Sequence, residues 1–115
     1  MSAQYVCDTG DLDPGEAMRV DIEDADGRPV PVSVVRDNDG QYHAISDTCS
    51  HGQVSLSDGE VEDGTIECWL HGSNFDLRTG KPLSLPATQP VPVYPVTVQG
   101  DSVLVDVTMT VAANA

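Results

Sequence analysis

The stretch Val30-Pro31-Val32-Ser33-Val34-Val35-Arg36-Asp37-Asn38-Asp39-Gly40-Gln41-Tyr42-His43-Ala44-Ile45-Ser46 decides the fold class. Its first arm, Val30 to Arg36, is dominated by β-branched valine, which suits a pleated surface. Its second arm, Gln41 to Ser46, has the length of a partner strand. Between them, Asp37-Asn38-Asp39-Gly40 is an Asx/Gly turn of the kind that joins two antiparallel strands. The segment reads as a β-hairpin.

Working outward gives more of the same. Towards the N-terminus, Tyr5-Val6-Cys7 and Ala17 to Ile22 are strand candidates, joined by the turn-rich Asp8 to Gly15. Val20 and Ile22 alternate with Arg19, Asp21 and Glu23, the period of a half-buried strand. Ala25-Asp26-Gly27-Arg28 is a turn. Towards the C-terminus the pattern weakens between Asp47 and Leu85. Short β pieces occur at Glu60 to Glu62, Thr65 to Glu67 and Asn74 to Leu77, set off by Gly59, Gly64 and Gly72. Arg78-Thr79-Gly80-Lys81 reads as a further hairpin turn. Pro86, Pro90, Pro92 and Pro95 exclude a helix or a central strand from Leu83 to Pro95. Two strands, Val93–Gln99 and Val103–Val107, close the chain around Gly100-Asp101. No segment predicts a helix longer than about two turns. The fold expected is small all-β with an irregular insertion.

Composition bounds the function. At 115 residues the chain is one domain. We assign it to residues 1–107, with the insertion over roughly 47–85 and a loose tail over 108–115. The 10 Gly and 8 Pro fit a turn-rich protein. The net charge of −14 comes from 19 Asp+Glu against five Lys+Arg, which excludes a basic patch for nucleic acid and disfavours anionic membrane. No apolar run is long enough to span a bilayer, and the first residues lack the pattern of a secretory signal. Three cysteines are too few for a disulfide scaffold, so a reducing cytoplasm is expected.

The chemistry is concentrated in the insertion. Of three Cys and three His, four form two tight clusters, Cys49-Ser50-His51 and Cys68-Trp69-Leu70-His71, with 16 residues between His51 and Cys68. Cys-x-His plus Cys-x-x-His is a metal-ligand pattern on spacing alone. Gly52 and Gly72 follow the two histidines, where glycine lets backbone approach an inorganic centre. A structural zinc site with two Cys and two His is the plain alternative. Zinc fingers, however, usually pair Cys with Cys and His with His along the chain. One of each per loop suits a centre with two distinct ends.

The double motif resembles the Rieske [2Fe–2S] signature, in which two Cys hold one iron and two His the other. The likeness extends through His71-Gly72-Ser73-Asn74-Phe75-Asp76 and Thr79-Gly80. Leu85-Pro86-Ala87-Thr88 and Val93-Tyr94-Pro95-Val96 are similar to the proline loop and following strand of small soluble Rieske ferredoxins. The resemblance implies an antiparallel β-sandwich or barrel carrying a cluster-binding subdomain of two loops plus a proline loop. It implies one [2Fe–2S] cluster, with Cys49 and Cys68 on one iron and His51 and His71 on the other. Gly52, Gly72, Ser73, Phe75 and Pro86 are then the residues around those ligands.

The charge balance explains the mixed ligands. A formally 2+ core with two thiolates and two neutral imidazoles is neutral, and accepts an electron more readily than one with four thiolates. Rieske proteins of cytochrome bc complexes carry an extra Cys in each loop, joined as a disulfide. Here those positions are Val54 and Leu70. Ser73 matches a serine that hydrogen-bonds a bridging sulfide in those proteins. Phe75 stands where they place a tyrosine that donates to a ligand thiolate. Fewer donors imply a low potential, around −150 mV rather than towards about +300 mV.

Other residues weigh less. Cys7 is expected to be a buried small hydrophobe, and His43 a surface or packing residue. Trp69 and Leu70 either shield the cluster or form an apolar docking tip. Asp58, Glu60, Glu62, Asp63 and Glu67 form an acidic stretch that is at least partly a solvated surface.

With no G-x-G-x-x-G and no P-loop, the chain has no visible nucleotide site. The resemblance implies a soluble, monomeric electron carrier and not an enzyme. Its expected donor is a flavoprotein reductase, and its acceptor a terminal ring-hydroxylating oxygenase. Alternatives are an accessory or redox sensor in iron–sulfur cluster assembly, or the small subunit of a nitrite reductase. The oxygenase α subunit is excluded by ligand count. Its non-haem iron needs two further His and a carboxylate, and only His43 is left.

Overall fold

The computed structural model describes residues 3–48, 54–69, 72–83, 90–108 and 110. Among them the strands are β1 Gln4–Asp8, β2 Glu16–Glu23, β3 Pro29–Arg36, β4 Tyr42–Ser46, β5 Val61–Glu62, β6 Thr65–Glu67, β7 Asn74–Asp76, β8 Val93–Tyr94, β9 Val96–Gln99 and β10 Ser102–Val105. The helical pieces are single 3-10 turns at Thr9–Asp11 and Leu56–Asp58. The all-β expectation is met. No helix of the described residues is long and apolar enough to cross a membrane.

The hairpin forms from the two arms and the turn expected for it. Val35 faces His43 and Arg36 faces Tyr42. Asp37 closes the turn: its Oδ1 accepts the N–H groups of Asp39 and Gln41, each at 2.9 Å. Gly40 completes it at φ +90°, a left-handed conformation that glycine adopts without steric cost. β2 and β8 add to the two sides, giving the antiparallel order β2-β3-β4-β8.

This sheet is buried on both faces, which explains the unbroken run of buried residues from Val32 to Val35. Because side chains alternate, consecutive residues serve different cores. Val32, Val34 and Ala44 pack with Cys7, Ile22, Val103 and Val105 towards the sheet β1-β10-β9. Val35 and Ile45 pack with Leu56, Ile66, Phe75 and Leu77 towards the sheet β5-β6-β7. Each buried Val, Ile, Leu or Phe among them stabilises by about 1.5–3 kcal/mol on burial.

The closing segment differs from expectation. Val93–Gln99 is two strands, not one. Pro95 interrupts it, so β8 ends the four-stranded sheet while β9 pairs β10 in another. Proline lacks the N–H that a continuous ladder requires, and its backbone marks the switch between sheets. The last strand is also shorter than expected, ending at Val105. Of the expected tail, residues 109 and 111–115 lie outside the described residues.

Candidate metal centre

Cys68 follows β6 directly and is 1% exposed. It packs in the same apolar cluster as Leu56, Ile66 and Phe75. Its N–H donates to the carbonyl of Ser73 at 2.7 Å, and its own carbonyl accepts the N–H of Gly72 at 2.8 Å. Gly72 has φ +78°, which lets the loop turn back onto itself within five residues. Trp69 projects outward, 52% exposed. Ser73 is fully buried, and Phe75 lies fully buried in β7. Cys49, His51, Gly52, Leu70, His71 and Pro86 lie outside the described residues. Of the four expected ligands, the described structure therefore positions Cys68.

What it does show is how the ends of the three loops are brought together. Glu67 N–H donates to Glu60 O at 2.8 Å, Glu67 faces Asn74 in the ladder, and Leu83 N–H donates to Asn74 O at 2.7 Å. Glu60, Glu67, Asn74 and Leu83 therefore form a row across one end of the small sheet. The chain reaches Glu60 from residues 54–59 and leaves Glu67 into the Cys68 loop. It returns from that loop at Asn74 and leaves Leu83 into the proline loop. All these segments depart from the same side of the row.

Two glycines that the sequence reading took only as turn and motif residues make this close packing possible. A Cβ on Gly59 would lie 1.6 Å from Glu67 O, so the segment that follows the first loop touches the second loop's start. A Cβ on Gly80 would lie 1.9 Å from Val91 O, where Val91 N–H donates to Gly80 O at 2.9 Å and closes the base of the proline loop. A Gly in each loop boundary was visible in the sequence, but its contact partner was not.

Asp47 was likewise missed. It is 2% exposed and holds the base of the first loop. Its Oδ1 accepts Ser57 N–H at 3.0 Å, its Oδ2 accepts the Ser55 hydroxyl, and its carbonyl accepts Leu56 N–H at 2.6 Å. Thr48 and Ser55 form a β-bridge, a neck that pairs the described chain on either side of the first loop.

The remaining sequence candidates fall into place. Cys7 is 2% exposed in the core, and burial, then the charges of Asp11 and Asp8, push its thiol up, as suits an inert residue. His43 is not a plain surface or packing residue. Its Nε2 lies 2.8 Å from Oδ2 of Asp37, and both side chains are largely buried. Burial alone would raise the Asp37 carboxyl, but hydrogen bonds from His43, Gln41 and Asp39 outweigh it and hold it below the usual range. Asp58, Glu60, Glu62 and Asp63 are exposed and Glu67 half-buried, so the acidic stretch does form a solvated face.

Three comparisons bear on this geometry. The family model described as Rieske [2Fe–2S] domain matches residues 2–95. The 3-phenylpropionate/cinnamic acid dioxygenase ferredoxin subunit of Escherichia coli (strain K12) is 43% identical over 107 residues, 92% of this chain and 94% of that protein. The ferredoxin of carbazole 1,9a-dioxygenase from Nocardioides aromaticivorans IC177 superposes with TM-score 0.82 at 39% identity, covering 92% of this chain and 98% of that one. A chain from a complex of reduced oxygenase and oxidised ferredoxin in carbazole 1,9a-dioxygenase superposes with TM-score 0.77 at 38% identity, covering 89% and 99%.

Proposed function

The chain belongs to the Rieske [2Fe–2S] domain family, and from that premise we propose that it is a one-electron carrier between a flavoprotein reductase and a terminal ring-hydroxylating oxygenase. The observation that carries this reading is the match to dioxygenase ferredoxin subunits across 92% of this chain and 94% of theirs. The reading places the carrier in the reducing cytoplasm.

The residues present fit the cluster. The donor set is two thiols and two imidazoles, the combination this centre takes. Cys68 presents a buried thiol from a loop closed on its own backbone, backed by Phe75 and Leu56. Cys49 and Cys68 would hold one iron, and His51 and His71 the other. When bound, the cluster accepts one electron and releases it with no transfer of atoms.

The protein's own contribution is to fasten the described segments that flank this donor set. Asp47 fastens the neck of the first loop, the Cys68–Ser73 pair fastens the second, and Gly80 with Val91 fastens the third. A rigid ligand frame keeps reorganisation small on electron uptake. Phe75 offers no hydroxyl to sulfur, which favours a low potential. Trp69 is half exposed beside the ligand loop and is available to a partner, with Leu70 as its sequence neighbour.

The acidic surface, at −14, suits basic partner faces and steers encounter over long range. The test is a reconstituted chain of flavoprotein reductase, this protein and a ring-hydroxylating oxygenase. Substrate turnover is expected only with all three present, with a transfer rate that falls as salt rises to physiological strength. Equal turnover without this protein overturns the carrier reading. A rate that ignores salt overturns the electrostatic part.

A further inference from the structure

Beside the first loop's neck lies a pair of charges that the carrier reading leaves unused. Arg19 of β2 brings its Nε to 3.9 Å from Oδ2 of Asp47. The two side chains differ sharply in setting, with Arg19 54% exposed and Asp47 2%. Arg19 also reaches Oδ1 of the exposed Asp21, at 3.2 Å. Among the described residues, the other groups on the Asp47 carboxylate are neutral donors, Ser55 and Ser57. Neutral hydrogen bonds stabilise a carboxylate but do not cancel its charge.

Covalent geometry bounds how far the Asp47 backbone stands from the expected ligand Cys49. Cys49 is two residues beyond Asp47, so their α-carbons are at most about 7 Å apart whatever the loop does. The chain's many other acidic groups are mostly on the surface, where water and salt screen them. Asp47 is shielded from both. One of only five Lys+Arg residues is set against it, from the solvent side.

We propose that Asp47 and Arg19 are opposed potential-setting residues. The buried carboxylate disfavours an added electron and lowers the midpoint potential, and the guanidinium partly offsets it. The inference rests on the carrier reading, because it needs the cluster that reading supplies.

The experiment is protein-film voltammetry on wild type, Asp47→Asn, Arg19→Gln and the double variant, each assayed for iron and labile sulfide. Asn keeps an acceptor for Ser57 N–H while removing the charge. Asp47→Asn is expected to shift the midpoint upward, and the shift is expected to persist at high salt. Arg19→Gln is expected to shift it downward, by an amount that shrinks with salt because Arg19 is exposed. A neck that merely loosens would move both variants the same way, so shifts of one sign, or none, overturn the proposal. Should Asp47→Asn lose its cluster, the half-exposed Arg19→Gln decides, and an unchanged or raised midpoint there overturns it. Should both variants lose the cluster, the pair is structural only and the proposal falls. Wild-type protein without iron and sulfide would instead end the carrier reading itself.

Discussion

The N–H of Cys68 donates to the carbonyl of Ser73 across 2.7 Å, so the loop of this proposed ligand is closed by backbone and not by the cofactor. The Cys68 thiol is thereby presented at a site the chain forms without its help. It follows that removing the thiol should remove the cofactor and spare the fold.

Cys68→Ala is therefore expected to abolish iron and labile sulfide, from about two of each per chain to near zero. Far-ultraviolet circular dichroism should retain the β signal of wild type. Stoichiometric iron and sulfide in this variant would show that Cys68 is not a ligand.

Gly80→Ala tests the closure of the proline loop. The position has φ +74°, which costs an L-residue about 1–3 kcal/mol by itself. The added Cβ also meets Val91 O at 1.9 Å. Gly27→Ala is the control, because Gly27 has φ +77° with nothing within 4 Å. Urea denaturation should show a clearly larger loss for Gly80→Ala. Equal losses would mean that the Gly80–Val91 approach carries no constraint.

Phe75→Tyr places a hydroxyl inside the core that also holds Cys68. A donor reaching a ligand sulfur should raise the midpoint potential, read by voltammetry. A hydroxyl with no partner would instead cost about 1–3 kcal/mol with the potential unmoved, which would show that Phe75 serves packing only.

Asp37→Asn should destabilise the hairpin through its pair with His43. The folded carboxyl is held below its usual value, so its stabilising effect is full above the unfolded value near 3.9 and is lost as pH falls through the folded one. The loss on mutation should be about 1.5–3 kcal/mol at neutral pH, as for a hydrogen bond to a charged group. It should shrink as pH drops below about 4. Thermal melts of both proteins across pH 3–7 measure it. A difference that stays constant down to pH 3 would place the effect elsewhere.

The sequence alone determined the strands up to β7 and placed two Cys/His clusters in the insertion. Alternation in Val20-Asp21-Ile22, the Asx/Gly turn at Asp37–Gly40 and the two Cys/His clusters are local signals, each written within a few residues. Hence the strands up to β7 lie where the pattern placed them. Tertiary structure decided what joins distant residues. Pro95 could be read as a break, but not as the switch between two sheets, since that depends on β4 and β10 competing for the two halves. Asp47 reads as an ordinary loop aspartate until Ser55, Ser57 and Arg19 surround it. Gly59 and Gly80 read as turn residues, and only packing reveals the carbonyls of Glu67 and Val91 where a side chain would stand. The reason is physical: chain periodicity fixes which way a residue faces, whereas burial and close contact depend on what the rest of the chain brings to that face.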